Sequence, residues 1–481
     1  MVVTRSALAW LITGLTGCHL LSGYDDLQLR EDPEGLWSRA FGDPLGEMEP
    51  HAQVAQDVTA RNLDTYIAGE LEGTMPIGED LVSHGGKDVF VTALDDRGDV
   101  RWTKRFGEAN DERVRSIITT DDSVIAMGTF SGNLPVDGET LMAPLGESFF
   151  IAEFAHADGA MVRARQSTGA LELIDVKVDM AIDRDDQNLV VVGGFGGSLA
   201  FSPCESLDAV GDMDIFVAKL SDTGCLWSKR FGDDLQAAES VGVGGSGIVV
   251  AGEFVGTLAF DPQNALQSGG GIDIFLVKLS TDGESVLWQK QFGDPGGGIQ
   301  SSVRVAVQQF GSVVLAGYFK GTLDFGGGPM SSSVGHDLFV AKFDPKGDYL
   351  WSKHFPTERK ECTADDCNLD RIALVADGEG DIVLSGHFQG AVDFGGTALT
   401  SNGGTDLFVA KLKSEDGSLL WSGSYGDEKS QCAELECLVS GTIDAAGNVV
   451  LAGYFDNTID FGFGTHKSVG AHDVFVVKML P

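Results

Sequence analysis

DLFVAKFDPKGDYLWSKHF, at residues 337–355, predicts two β-strands joined by a tight turn. Its first half is apolar or β-branched at nearly every position, Pro and Gly follow, and its second half centres on Trp351. Related stretches begin at residues 88, 148, 214, 273, 406 and 473. The seven copies have a mean period of about 64 residues, which is typical of a repeat protein.

Each repeat is predicted to form four strands. In the sixth copy the first strand is RIALVAD (371–377) and the second is the apolar IVLSGHF (382–388). A connection, GTLDFGGG (321–328) in the fifth copy, leads to the third strand, D-x-F-x-x-K, and the fourth strand carries the Trp. Because the second and third strands are apolar on both faces, other structure must cover each face.

No helical pattern of ten or more residues follows the N-terminal segment, so a parallel α/β sheet is excluded. Small antiparallel sheets arranged radially would cover one another, as in a β-propeller. A parallel β-helix is the alternative, but its rungs are shorter and it has no obligatory hairpin in each repeat. We therefore predict an all-β fold over residues 36–481, a seven-bladed β-propeller with four-stranded antiparallel blades.

The first and last strands of the repeat region complete each other. The last copy, DVFVVKML (473–480), has no Trp strand after it, whereas LWSRAFGD (36–43) has the Trp but no partner before it. Unpaired strand edges expose backbone donors and acceptors. We therefore predict that Trp37–Phe41 pairs antiparallel with Val474–Lys478, as the outermost strand of the last blade, and so closes the propeller.

Four short motifs recur: the D-x-F-x-x-K strand, the D-x-x-G-x-x-x-W hairpin, the F-G-D after it and the G-x-F-x-G-x-x-x-F connection. Together they resemble the bacterial β-propeller repeats called SBBP repeats, over about residues 36–480. The second copy departs most, with Ser148, Glu153 and Val162 in place of Asp, Lys and Trp. The hairpin AKLSDTGCLW (218–227) is also similar to the tryptophan-docking motif of quinoprotein dehydrogenases and of an outer-membrane assembly lipoprotein. Neither resemblance implies a catalytic residue.

Residues 1–17 have the features of an export signal, with Arg5 ahead of an apolar core. The sequence LTGC that ends at Cys18 resembles the bacterial lipobox, which implies cleavage before Cys18 and a lipid on its sulfur. An ordinary signal peptide with an incidental Cys is the alternative. Residues 18–35 are predicted to be a polar, flexible tether. The expected location is the bacterial cell envelope, lipid-anchored at the outer membrane or the cell surface.

The net charge is −39, from 33 basic and 72 acidic residues. Nucleic acid is therefore not an expected partner, because binding a phosphate backbone needs a basic surface. Acidic turns recur between the first and second strands, as in DGEGD (377–381). Asp377, Glu379 and Asp381 are calcium candidates, although Asp is also common in tight turns. No other cofactor is predicted.

Six cysteines follow Cys18 in the sequence: Cys204, Cys225, Cys362, Cys367, Cys432 and Cys437. The last four form two C-x4-C pairs at the same distance from the preceding Trp, so they occupy equivalent loops of consecutive repeats. In an exported chain with no His in either loop, two local disulfides are predicted, and a zinc site is the alternative. The first two cysteines remain for each other, and they can meet only if the connection before the third strand runs back along the blade.

One Trp per repeat on the fourth strand could stack on sugars or pack between blades, and we favour packing. No motif in the sequence assembles a nucleophile with a base. We therefore expect a non-catalytic envelope or cell-surface scaffold that binds a protein or a glycan through one face. The expected face carries the loops from fourth to first strands and the connections from second to third strands. A propeller enzyme, either quinoprotein-like or glycan-active, is the alternative.

Overall fold

The computed structural model describes residues 36–43, 51–172, 177–332, 335–357, 371–432, 437–469 and 471–480. These residues form strands, turns and irregular segments, and they contain no helix. None of them therefore belongs to a helix long and apolar enough to cross a membrane. Cys18, Cys362 and Cys367 lie outside the described residues.

The described residues form forty strands. The N-terminal strand and the strands of the first repeat are β1 (Trp37–Phe41), β2 (Gln53–Arg61), β3 (Asp64–Leu71), β4 (Thr74–Ile77), β5 (Glu79–Val82), β6 (Asp88–Leu94) and β7 (Val100–Phe106). The second repeat has β8 (Arg113–Thr119), β9 (Ser123–Val136), β10 (Glu139–Ala155), β11 (Met161–Gln166) and β12 (Leu171–Glu172). The third has β13 (Val178–Asp183), β14 (Asn188–Leu199), β15 (Leu207–Asp208), β16 (Asp214–Ser221) and β17 (Gly224–Phe231). The fourth has β18 (Gln236–Val243), β19 (Ile248–Phe254), β20 (Thr257–Leu258), β21 (Leu266–Gln267), β22 (Asp273–Leu279) and β23 (Val286–Phe292). The fifth has β24 (Ile299–Val307), β25 (Val313–Lys320), β26 (Thr322–Leu323), β27 (Met330–Ser331), β28 (Asp337–Phe343) and β29 (Tyr349–Phe355). The sixth has β30 (Ala373–Ala376), β31 (Ile382–Phe388), β32 (Ala391–Val392), β33 (Leu399–Thr400), β34 (Asp406–Leu412) and β35 (Leu419–Tyr425). The seventh has β36 (Val439–Ile443), β37 (Val449–Phe455), β38 (Thr458–Asp460), β39 (Thr465–Lys467) and β40 (Asp473–Met479).

The four-stranded antiparallel sheet is the repeated unit. Five separate sheets of this kind are present in the described residues. Their strand orders are β2-β3-β6-β7, β18-β19-β22-β23, β24-β25-β28-β29, β30-β31-β34-β35 and β36-β37-β40-β1. In each sheet the first strand of the repeat lies at one edge and the Trp strand at the other. The prediction of an all-β fold built from four-stranded antiparallel sheets is confirmed for these repeats.

The second and third repeats share one ten-stranded sheet instead. It contains two further four-stranded meanders, β8-β9-β10-β11 and β13-β14-β16-β17. They are joined because β9, β10 and β14 are unusually long and the short β12 pairs with two of them. Leu171 of β12 lies opposite both Glu147 of β10 and Gly197 of β14. β12, which joins the two meanders, directly follows the fourth strand of the second repeat, which is the repeat that departs most from the repeat motifs.

The N-terminal strand belongs to the last sheet. β1 pairs antiparallel with β40, with Trp37 opposite Lys478 and Phe41 opposite Val474. This is the strand pairing that the sequence predicts. The last sheet therefore takes its fourth strand from the other end of the repeat region.

The hydrophobic cores lie between neighbouring sheets. Every residue of β28 is buried. Leu338 and Val340 pack in a cluster with the sixth repeat, whereas Phe339 and Ala341 pack in a cluster with the fourth. Burial of both faces explains why the third strand is apolar throughout. The first strands of successive repeats also contact one another, and β36 contacts β2.

The two ends of the sheets carry different segments. The turn side is the end with the first-to-second-strand turns, such as residues 377–381, and the third-to-fourth-strand hairpins, such as residues 344–348. The loop side is the end with the loops from each fourth strand to the next first strand, such as residues 232–235.

Tryptophans of the fourth strands dock on the hairpin of the next repeat. Trp288 Nε1 donates a hydrogen bond to Pro345 O at 3.1 Å, and its ring lies against Gly347, whose φ is 83°. A Cβ at this position would collide with the ring, so both the close approach and the backbone conformation require Gly. Equivalent hydrogen bonds are donated by Trp37, Trp102, Trp227 and Trp351. The packing interpretation of these tryptophans is confirmed.

The second-to-third-strand connections begin on the loop side and run from there toward the turn side. Phe325 of GTLDFGGG packs between Phe292 of the preceding repeat and Phe339 of its own, with ring centroids 4.7 and 5.0 Å apart. Gly326 then contacts Tyr349, at the turn-side start of the fourth strand. The connection takes this path because its Phe is buried between two sheets. The middle of the connection therefore lies along the blade, while its two ends stay on the loop side, as expected.

Two predicted disulfides are present. Cys204 and Cys225 are bonded, with Cα atoms 5.6 Å apart, and Cys225 N donates to Ser202 O at 3.0 Å. Cys204 lies in the second-to-third-strand connection, and Cys225 lies at the turn-side start of the fourth strand. The bond between them therefore also requires the connection to run back along the blade toward the turn side. Cys432 and Cys437 are bonded on the loop side, between the sixth and seventh repeats.

Candidate functional site

The first strands of all seven repeats line one cavity of about 190 Å³. Its charged lining residues come one from each of the first six repeats, and Ser440 comes from the seventh. These charged residues are Asp57, Arg115, Asp179, Glu239, Arg304 and Arg371. The whole repeat region therefore converges on this polar cavity, which is the candidate site.

Hydrogen bonds around the cavity run from one repeat to another. Asp57 Oδ2 accepts the backbone N–H of Ile117 in the second repeat at 2.8 Å, and Asp179 Oδ2 accepts that of Val241 in the fourth at 2.9 Å. Ser440 Oγ of the seventh repeat donates to Asp57 Oδ1 at 2.5 Å. First strands lie at sheet edges, so their inward N–H groups need acceptors from elsewhere. The cavity carboxylates therefore tie neighbouring repeats together.

Lys177, Glu239 and Glu253 form a cluster at the loop-side end of the cavity. Lys177 Nζ donates to Glu239 Oε1 and lies 3.8 Å from Glu253 Oε1. Glu239 Oε2 accepts the N–H of Val303 at 2.8 Å, and Glu253 Oε1 accepts that of Ser302 at 3.0 Å. The two carboxyl groups are also hydrogen-bonded to each other. The cluster thus joins the third, fourth and fifth repeats.

One carboxyl group of this cluster holds a proton at neutral pH. Burial, reinforced by the charge of Glu239, raises the pKa of Glu253 to about 8. Burial also acts to raise the pKa of Glu239, but Lys177 outweighs it and holds that pKa below its usual range. Burial acts to lower the pKa of Lys177, yet the two carboxyl groups together raise it. At pH 7 the cluster therefore contains a neutral Glu253, an ionised Glu239 and a charged Lys177.

We expect the titration of Glu253 to make stability fall as the pH rises from about 5 to about 8. An unfolded Glu has a pKa of about 4.3, so in this window the folded state binds one more proton than the unfolded state. The free energy of unfolding then falls by at most about 1.4 kcal/mol per pH unit from this group, and the loss is complete above about pH 8.

Glu253→Gln isolates this effect, because the amide resembles the neutral acid at every pH. As the pH rises through the window, the wild type loses stability and the variant does not, so the free energy of unfolding of the variant should rise relative to that of the wild type. Urea unfolding of both proteins at pH 6, 7, 8 and 9 measures the difference. A difference that stays constant over this range would contradict the protonation of Glu253.

Three arginines give the cavity a positive side. Arg304 Nη1 donates to the backbone carbonyl of Glu239 at 3.1 Å. Glu70 is a buried carboxyl group, and burial raises its pKa. The positive charges of Arg115 and Arg371 act in the opposite direction and lower that pKa. Guanidinium groups bind carboxylates and phosphates with directed hydrogen bonds. The cavity therefore has the chemistry to hold a small oxyanion in addition to the hydrogen bonds that link the repeats.

The turn side of the molecule has a hollow of about 660 Å³, lined largely by the first-to-second-strand turns. The Lys of the third strand reaches the acidic turn of its own repeat. Lys219 Nζ lies 2.6 Å from Asp183 Oδ2, and Lys478 Nζ lies 3.2 Å from Asp444 Oδ2. Lys478 also donates to Leu63 O of the first repeat at 2.7 Å. The lysines therefore neutralise these turns, and Lys478 also links the seventh repeat to the first.

The calcium candidates lie in the equivalent turn of the sixth repeat. Asp377 Oδ1 accepts the backbone N–H groups of Glu379 and Asp381 at 2.9 and 2.8 Å, which is the turn chemistry that Asp provides. Asp377 Oδ2 pairs with Lys411 Nζ at 2.8 Å, and Asp381 Oδ1 accepts the N–H of Ser414. This turn therefore carries its own cation. In the part of the chain that the structure describes, no three His, Cys, Asp or Glu side chains are grouped as a metal site.

No cavity residue was predicted from the sequence to have a functional role. A positional signal was present, because five repeats have Asp or Ser at the first-strand position that pairs with the residue directly before the Gly of the second strand. These residues are Asp57, Ser116, Asp179, Ser240 and Ser440. An alignment of the first strands on the Gly of the second strand would have shown it.

No family model and no curated protein matches the chain. The solved structures that are loosely similar to it include the following three. The quinohemoprotein alcohol dehydrogenase from Comamonas testosteroni is 10% identical over 93% of this chain and 77% of that chain, with a TM-score of 0.36. An apocarotenoid oxygenase variant from Synechocystis is 10% identical over 90% and 94%, with a TM-score of 0.38. The endosialidase of phage phi92 is 9% identical over 93% and 69%, with a TM-score of 0.40.

Proposed function

We propose that the protein is a lipid-anchored scaffold of the bacterial envelope, built from SBBP-type repeats as a closed seven-bladed β-propeller, which binds a protein or a glycan through its loop side. The repeated four-stranded meanders support the seven blades. The contacts of each first strand with the next, and of β36 with β2, support a ring. The pairing of β1 with β40 supports its closure.

The observation that carries the scaffold role is the use of three cavity carboxyl groups and of the neighbouring Glu253. Asp57, Asp179, Glu239 and Glu253 each accept a backbone N–H from another repeat. A catalytic acid or base must instead lie within hydrogen-bond reach of a reacting group on the substrate. These four groups are engaged in holding the repeats together.

A glycan-active enzyme is the alternative, and the Glu239–Glu253 pair is the observation that favours it, because one group is neutral and the other ionised. Both common glycosidase geometries separate the two carboxyl groups by about 5 Å or more. Glu239 and Glu253 are hydrogen-bonded to each other, which is too close for either geometry. The scaffold role therefore accounts better for the pair.

The ligand is expected on the loop side between the fifth, sixth and seventh repeats. The two longest stretches of sequence between a fourth strand and the next first strand lie there, one after Phe355 and one after Tyr425. The disulfide between Cys432 and Cys437 lies in the second of these. Loops held on a rigid scaffold commonly carry recognition.

A pull-down of the intact lipoprotein from its native envelope tests this function. Replacing residues 358–370 with a short Gly-Ser linker should abolish capture of the partner. The matched control replaces the turn-side residues 184–187 with a Gly-containing turn and should capture it as well as the wild type. Equal capture by both variants would place the ligand elsewhere. A bound cofactor that absorbs visible light would favour the enzyme instead.

Lipidation of Cys18 gives a second prediction. Cys18→Ser removes the sulfur that would carry the lipid, so the protein should leave the membrane fraction and become soluble. Fractionation of cells that express each form measures this. A Cys18→Ser protein that stays in the membrane fraction would show that the anchor lies elsewhere.

We also propose a disulfide between Cys362 and Cys367, in the loop equivalent to the one that holds the Cys432–Cys437 bond. Such a small ring stabilises the fold modestly, by about 2 kcal/mol from loop entropy. Peptide mapping without reductant should recover the ring intact. Full alkylation of both thiols in the unreduced protein would show that it is absent.

A further inference from the structure

The residue three positions before the Asp that opens the third strand is Gly in several repeats, and in the sixth repeat it is Gly403. The φ of Gly403 is 109°, a conformation that residues other than Gly rarely adopt. A Cβ at Gly403 would lie 2.2 Å from Glu428 O, in the loop that leads to the seventh repeat. Gly211 makes the same kind of close approach in the third repeat, where a Cβ would lie 2.4 Å from Asp234 O. The structure of the junction therefore requires Gly at position 403.

The residue before this Gly contributes only its backbone. Asn402 N–H donates a hydrogen bond to Asp406 Oδ2 at 2.9 Å. The residues at the same place in four other repeats donate the same hydrogen bond although their side chains differ. They are His84, Val210, Gly269 and Val469. The junction therefore does not depend on the side chain at position 402, and Asn402–Gly403 is the only Asn-Gly pair in the sequence.

The side-chain amide of Asn402 and the backbone N–H of Gly403 belong to exposed residues. Neither group has a hydrogen-bond partner among the described residues. Together with Asp427 and Glu428, these two residues line a surface hollow of about 530 Å³. The hollow admits water, and it gives the Asn402 side chain room to turn toward the backbone that follows it.

We propose that Asn402 is a site of spontaneous deamidation and isomerisation, with water as the only co-reactant. The backbone N of Gly403 loses its proton and attacks Cγ of Asn402, the bond from Cγ to Nδ2 breaks, and ammonia leaves. The product is a five-membered succinimide, which water then opens. Opening of the bond from Cγ to N gives Asp, and opening of the bond from C to N gives isoaspartate, in which the chain continues through the side chain. Gly favours the attack because it has no Cβ to obstruct the approach of its N.

Either product changes the sixth junction. A carboxylate at position 402 adds a negative charge beside Asp427 and Glu428, which line the same hollow. Asp406 is also near, with 1% exposure and a pKa that burial raises to about 6. Isoaspartate in addition lengthens the backbone by one methylene directly before Gly403, where the close approach to Glu428 O leaves little space for displacement. We therefore expect isoaspartate to lower the Tm more than Asp does.

Peptide mapping of the folded full chain during storage at mildly alkaline pH tests the proposal. The peptide that contains Asn402 should gain the mass that separates an acid from an amide. It should also separate into two products, of which isoaspartate is detected by enzymatic methylation. The rate should rise with pH, because the N of Gly403 must lose its proton. Asn62 is the internal control, because it is also exposed but precedes Leu63, and it should remain an amide.

Two variants separate the effects of the two products. Asn402→Ser retains the backbone N–H and should neither change mass nor lose stability on storage. Freshly prepared Asn402→Asp carries the charge without the altered backbone, so the aged wild type should have a lower Tm than this variant. An unchanged Asn402 in the folded chain, or a change that appears only after unfolding in urea, would overturn the proposal. An equal change at Asn62 would also overturn it, because the following Gly would then not determine the site.

Discussion

Deleting residues 36–43 should lower the Tm of the whole repeat region in one transition, rather than fray one end. These residues supply β1, and Trp37 is 4% exposed in a core shared with the first and seventh repeats. Loss of a buried Trp side chain alone costs about 3–5 kcal/mol. The deletion also leaves the edge of β40 unpaired. The total is a large part of the roughly 5–15 kcal/mol that stabilises a typical domain.

Differential scanning calorimetry of the deletion variant measures this loss. The control lacks only residues 19–35, so it keeps β1 and should melt like the intact chain. Trp37→Ala separates the side chain from the strand and should have an intermediate Tm. A variant without residues 36–43 that melts like the control would contradict the closure of the last sheet by β1.

Lys219→Met should destabilise the protein by about 3–5 kcal/mol, because it leaves a buried carboxylate without its cation. Lys219 is 4% exposed and Asp183 is 3% exposed, and their charged atoms lie 2.6 Å apart. Asp186 also contacts the Lys at 2.7 Å, but its side chain is 44% exposed, so water can solvate it after the change. The loss therefore comes mainly from Asp183.

Urea unfolding of three variants tests this assignment. Lys219→Met combined with Asp183→Asn removes the uncompensated charge and should recover part of the stability. Lys229→Met is the matched control, because its partner Glu284 is 72% exposed, and it should change stability by less than about 1 kcal/mol. Similar losses in Lys219→Met and Lys229→Met would show that burial of the pair does not decide its strength.

The outer strands of each repeat could be predicted from the sequence. The third strand is buried on both faces and the fourth carries a Trp that docks on the next repeat, so the same residue types recur at each period. For the same reason, Trp37 could be assigned to the last sheet from its motif alone. The first strands face a polar cavity instead, where Asp57, Arg115 and Glu239 differ in charge and size. A search for identical residues therefore finds no motif there, and the shared Asp or Ser emerges only when the first strands are aligned on the Gly of the second strand.

Two other contacts were not predicted from the sequence. The sequence GTLDFGGG does not indicate that the connection runs back along the blade. Its path is determined by the burial of its Phe between two sheets. Lys219 could have been paired with Asp183, because antiparallel pairing brings the end of the third strand beside the start of the second. The fourth repeat has no Asp in this turn, and there Lys278 donates to Gly245 O at 3.1 Å.

The pairing of β1 also determines at which end the chain enters the last sheet. Trp37 lies opposite Lys478 at the turn side, and Phe41 lies opposite Val474 at the loop side. The chain therefore enters the last sheet from the turn side. The end of the protein that carries the Cys432–Cys437 bond is therefore opposite the end at which β1 begins.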